Sequence, residues 1–190
     1  MRYSKEHKDD ARQRLLQGSA QYVKRHGLAA SGVDAIAAQA GVTSGSLYKH
    51  FAGKSELFAA MLRAELQRTA ERFAGIGPGD ADAAGQAVAA YLSLQHLRQP
   101  ERGCPLPALT PEVARADPAV RAVFDEGLRG VHAQVQGLTG SAAKAWALIA
   151  LNVGALMLAR AALAPRLQRE LLDSARSEGR GLVGDDTVEP

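Results

Sequence analysis

The chain has 190 residues, 46% hydrophobic and 23% charged, the range of an ordinary soluble protein of one domain or two small ones, which excludes disordered and fibrous classes. Its beginning, "MRYSKEHKDDARQRLL", is polar where a secretory signal needs an apolar core, so a cytoplasmic protein with no membrane partner is expected. The net charge of +3 is shared unequally: residues 1–72 carry 12 basic against 7 acidic side chains and residues 73–190 carry 11 against 13, so the N-terminal third holds the positive field that suits a polyanionic partner.

The long stretches are rich in Ala, Leu, Gln, Arg and Glu and show no strand-period alternation, so an all-α fold is predicted. From about Ser4 to His26 the apolar positions Ala11, Leu15, Leu16, Ala20 and Val23, with Ser19 and Tyr22 among them, recur at three and four, and Gly27 stops the helix. Gly18 inside it costs about 1 kcal/mol relative to alanine, which points either to a helix packed closely there or to a tolerated flaw. Val33, Ile36, Ala37 and Ala40 then make the stripe of a helix of two turns, ended by Gly41. Thr43 is placed to cap the next helix, whose inward pair is Leu47 and Phe51 at i, i+4. Two short helices around a glycine turn make a helix-turn-helix.

"AGKSELFAAMLRAELQRTAERF" reads as a fourth helix with Leu57, Phe58, Met61, Leu62 and Leu66 inward, and the glycine-rich residues 74–85 read as a boundary between two units. Residues 83–99 read as one helix; prolines interrupt 100–118; Asp117-Pro118 opens a helix to about Leu138; Ser141 caps the next. That helix carries no charge between Lys144 and Arg160, 15 residues that fall short of the ~20 of a bilayer span. It is expected to be buried on most sides, part of its surface against another subunit. Arg166 to about Ser177 forms the last helix, and residues 179–190 are expected as a flexible tail.

One cysteine, Cys104, and five scattered histidines give neither a disulfide framework nor a zinc site, and no cofactor is expected. A Cys104 pair with His96 or His132 is the nearest approach to a catalytic set, and no phosphate loop or spaced carboxylate pair joins it, so an enzyme is not expected.

The run "SGVDAIAAQAGVTSGSLYKHFAGKSELFAAML" resembles the DNA-binding domain of the tetracycline-repressor (TetR) family of bacterial transcription regulators. The resemblance is carried by Ile36-Ala37, Ala40-Gly41-Val42-Thr43, the run Gly45-Ser46-Leu47-Tyr48-Lys49-His50-Phe51, and Lys54. The chain departs from the pattern at Ser31-Gly32, where Thr or Ser usually fills both places, at Gly18-Ser19 and Tyr22-Val23 in the first helix, and at Ser44, where Lys is frequent. It implies a DNA-binding domain over residues 1–52, a helical effector-binding and dimerisation domain over 53–178, and no enzymatic activity.

A helix in the major groove reads bases from its N-terminal end and outer face. With Leu47 and Phe51 turned inward, Thr43, Ser44, Gly45, Ser46, Tyr48, Lys49 and His50 are left for DNA, and Lys54 suits a phosphate. Two such helices must lie about 34–36 Å apart to enter successive grooves, which requires a homodimer, expected through helices about 141–163 and 166–177. The expected partners are thus a palindromic double-stranded operator, a second copy and an unidentified small-molecule effector, with repression released by the effector. Tyr91, His96, Cys104, Phe124 and Trp146 are candidate effector contacts, core packing being the plainer reading of each, Cys104 as a small buried residue included. Two alternatives are a thiol-based sensor using Cys104, with Arg102 near it, and a sequence-indifferent DNA-coating protein.

Overall fold

The computed structural model describes residues 5–77 and 79–183, with side chains from residue 12. Helices α1 (Lys5–His26), α2 (Val33–Gln39), α3 (Ser44–Tyr48), α4 (Lys54–Ala74), α5 (Ala81–Tyr91), α6 (Leu94–Arg98), α7 (Leu106–Val113), α8 (Pro118–Thr139), α9 (Ala142–Ala161) and α10 (Pro165–Val183) follow in order, with a 3-10 turn at Pro100–Arg102. No strand occurs among the described residues, and the fold is all-α. Ser4, where the first helix was expected to begin, lies outside the described residues.

Contacts divide the chain into two units: residues up to Glu65 with Pro100–Glu126, and Leu66–Gln99 with Gly127 onward. This differs from a cut after residue 52, and from a boundary in the glycine-rich stretch 74–85, which lies wholly inside the second unit. The cause is α1, which packs against α2 and also against the 3-10 turn and α7, drawing residues 100–126 into the first unit.

In the first unit the predicted residues Leu15, Leu16, Ala20, Val23, Ile36, Ala37, Leu47, Phe51, Leu57, Phe58, Met61 and Leu62 are buried, Val33 and Ala40 of the expected stripe are half-buried, and Leu106, Leu109, Val113 and Val120 join the core. Gly18 is a close approach, since a Cβ there would lie 2.8 Å from Ala40 Cα. Lys24 and Glu65 form a buried ion pair at 2.6 Å, and the Lys24 ammonium also donates to the Gly103 carbonyl at 2.9 Å. Glu112 of α7 accepts the Leu28 N–H on both carboxylate oxygens, at 2.8 and 2.6 Å, securing the turn after α1.

In the second unit the expected single helix 83–99 is two helices. Ser93 caps α6 by accepting the His96 N–H at 3.2 Å. Two arginines meet carbonyls of this region: Arg176 donates to Leu92 O, at the break, at 3.2 Å, and Arg160 to His96 O, in the last turn of α6, at 2.8 Å. Ser141 caps α9 as predicted. The last helix runs past Ser177 to Val183, so residues 179–183 are not a loose tail: Leu172, Ala175, Gly179 and Val183 form one buried stripe at helical spacing. Residues 184–190 of the expected tail lie outside the described residues.

α9 is less covered than predicted. It has 20 residues and a mean hydropathy of 1.6 over its most apolar window, long and apolar enough to cross a membrane, and only 33% of that window is buried. The buried face (Ala145, Leu148, Asn152, Ala155, Leu156, Ala159) packs on α10 and α6, while Leu158 stands 60% exposed.

Candidate nucleic-acid interface

Gly41 takes φ +69, a conformation open to glycine at no steric cost, and so turns the chain out of α2. The Val42 N–H then bonds to Ala37 O and the Gly41 N–H to Ala38 O, each at 3.0 Å, closing the helix end in a Schellman arrangement. Two residues later Thr43, in extended conformation, accepts the Ser46 N–H on its side chain at 3.2 Å and starts α3.

α3 is five residues long and is prolonged by a turn in which the His50 and Phe51 N–H groups each bond to Leu47 O at 3.0 Å. Leu47 and Phe51 are sealed beneath it, and the Arg12 guanidinium lies 5.3 Å from the centre of the Phe51 ring. Burial of this inner pair fixes what the outer face shows: Tyr48 is 55% exposed, Thr43, Gly45 and Lys49 are exposed, and Ser44, Ser46 and His50 are half-buried.

Two of these side chains are engaged within the protein. Thr43 is the cap, and the Ser44 hydroxyl donates to Asp34 Oδ1 on α2. At Gly45 an added Cβ would meet only Thr43 Oγ1, at 4.0 Å, so no internal contact requires glycine there.

Lys54 is the first residue of α4 and half-buried. Close by, Glu56 reaches back to accept the Ala52 N–H at 2.6 Å, so this helix start already carries a carboxylate. Ser55 donates its hydroxyl to Asp117, the residue that caps α8 by accepting the Val120 N–H at 3.0 Å. The Ser55 hydroxyl first, and the Val120 N–H second, hold the Asp117 carboxyl below its ordinary range.

The candidate effector residues are dispersed. Tyr91 and His96 meet edge to face at 4.7 Å in the second unit, with His96 Nδ1 2.7 Å from the Tyr91 carbonyl oxygen. Trp146 is 41% exposed and stacks on His132 at 4.0 Å, so it is neither a core residue nor grouped with that pair. Cys104 is buried and Phe124 half-buried, both in the first unit. Asp34, Lys24, Glu65 and Glu112 were not anticipated: each finds a partner ten or more residues away, where no periodicity points.

A short helix presented on a buried Leu-Phe pair, behind a glycine turn and a threonine cap, defines a helix-turn-helix DNA-binding protein. Residues 15–61 match the family profile of bacterial regulatory proteins, tetR family. Among solved structures, the chain is similar to the reduced form of E. coli NemR (26% identity, 94% of this chain and 100% of the other, TM-score 0.74). It is similar also to a transcriptional regulator from Rhodococcus sp. Rha1 (25%, 94% and 99%, TM-score 0.69) and, in fold, to the multidrug binding protein EbrR complexed with ethidium (24%, 91% and 98%, TM-score 0.66). No relative was found among curated proteins. Residues 15–61 thus carry a tetR-family DNA-binding domain with its helix-turn-helix, and the chain is similar along its length to solved TetR-family transcriptional regulators.

Proposed function

We propose that the protein is a ligand-responsive cytoplasmic repressor that occupies a palindromic operator as a homodimer. The observation that carries the dimer is the outer face of the α9–α10 pair. An open groove of about 460 Å³ runs there between Ala150, Leu151, Gly154, Leu158, Leu167 and Leu171, on the helices chosen from sequence. An apolar surface of this kind is what a self-complementary helical interface buries, and one chain supplies only one reading helix. Within the DNA-reading head, Gly45, Ser46, Tyr48, Lys49 and His50 face the duplex, Thr43 and Ser44 set the start of α3, and Lys54 meets a phosphate.

The effector is assigned to the second unit, with the Tyr91–His96 pair as its nearest candidate wall. EbrR, of similar fold, is described as binding ethidium. Ligand that binds better to a dimer whose reading helices are misplaced lowers operator occupancy, and by linkage DNA lowers ligand affinity by the same factor. Selection of bound fragments from the source genome, followed by transcription from the recovered promoter with and without protein, tests this reading. A selected palindrome whose promoter is silenced is expected; recovery of unrelated fragments would overturn it.

A second reading makes Cys104 a sensor. It follows Gly103, whose carbonyl is held by the buried Lys24 ammonium, and a nearby cation favours a thiolate. Under this reading peroxide releases wild-type protein from DNA and leaves Cys104→Ser bound; equal release of both excludes it.

A further inference from the structure

We propose that Asp34, on α2 and outside the reading helix, is a specificity-determining residue that selects a base carrying an exocyclic amine, cytosine foremost, at one position of each half-site. The inference rests on α3 entering the major groove.

Asp34 is exposed in the first turn of α2, and the Ser44 hydroxyl donates to its Oδ1. Ser44 is the first residue of α3, the end from which a recognition helix touches base edges. A free serine there would be indifferent, since a hydroxyl both donates and accepts. Here its proton is committed to Asp34, while the neighbouring Thr43 oxygen is committed to the Ser46 N–H. The Ser44–Asp34 pair is therefore acceptor in character, with the Asp34 carboxylate as its strongest acceptor, while the Thr43 hydroxyl keeps its proton to donate.

In the major groove guanine presents two acceptors and thymine an acceptor with a methyl group, both of which a carboxylate opposes. Cytosine presents the N4 amine alone; adenine presents an amine beside an acceptor. Cytosine is thus matched, adenine half matched, and guanine and thymine rejected. The same charge repels phosphates, so Asp34 lowers affinity for DNA at large while it raises selectivity.

The test takes the selected operator and its single base-pair variants in both half-sites, titrated by fluorescence anisotropy at one salt concentration against wild type, Asp34→Asn, Asp34→Ala and Ser44→Ala. The asparagine variant keeps an acceptor for Ser44, and circular dichroism of each variant checks folding. For Asp34→Asn and Asp34→Ala, random DNA is expected to bind more tightly, and discrimination at one position per half-site to fall roughly 5- to 10-fold, with other positions unchanged. Ser44→Ala is expected to lose less at that same position. Uniform weakening at every position, or no change at any, would overturn the proposal and leave Asp34 a helix-start residue. Absence of operator preference in wild type would instead remove the groove-reading on which it rests.

Discussion

Lys24 illustrates how one side chain can hold a fold while looking ordinary in sequence. At the end of α1 it reads as a solvated basic residue of a last helical turn, yet its side chain is 3% exposed and pairs with Glu65, itself 7% exposed. Breaking a buried pair on one side leaves a charge with no compensation, which costs about 3–5 kcal/mol, whereas replacing both members by apolar residues is often tolerated. Lys24→Ala is therefore expected to lower the unfolding free energy by about that amount in urea titrations, and Lys24→Met combined with Glu65→Leu to recover most of it. The pair was illegible because its partners stand 41 residues apart, as was the Glu112 clamp on Leu28 over a separation of 84. Cys104 is buried, the commoner reading for a lone cysteine, though the contacts that bury it are not encoded in spacing.

At the scale of elements, legibility depended on whether the cause was local. Gly41, Thr43 and the Leu47–Phe51 pair lie within eleven residues, and the turn, cap and inner face they predict are those observed. The Asp117 and Ser141 caps were legible for the same reason. The break between α5 and α6 was not, because the arginine that meets the Leu92 carbonyl comes from α10 and the one that meets the end of α6 from α9, each more than sixty residues away. Nor was the length of α10, where Gly179 and Gly181 suggested a tail although Gly179 packs inward. α3 also separates stability from function at a single position. Gly45→Ala meets no internal obstacle and gains up to about 1 kcal/mol of helix propensity, so its melting temperature should rise or hold. If the DNA backbone approaches there, operator affinity measured by anisotropy should fall by roughly tenfold; a variant as tight as wild type would release Gly45 from any role at the interface.

For the whole molecule, helical class was legible from periodicity, and a DNA-binding N-terminal third from the resemblance that the Ile36–Lys54 residues carry, with charge as a minor support. The two-unit partition was not, because residues 100–126 join the first unit through tertiary contacts, with α1 and, by way of Ser55 and Asp117, with α4. The dimer proposed through α9 and α10 should be broken at an outward side chain: Leu158→Arg is expected to elute from gel filtration as a monomer with unchanged helical content, whereas the buried Leu156 would report on folding instead. An unchanged dimer would place the interface elsewhere. The most direct measurement of the central claim is competition binding at moderate ionic strength, the selected operator against random duplex, for wild type and for Tyr48→Ala combined with Lys49→Ala. Wild type should prefer its operator by at least about 10³-fold and the double variant should lose most of that preference. Equal affinity for both DNAs, or a preference untouched by the two substitutions, would contradict the account.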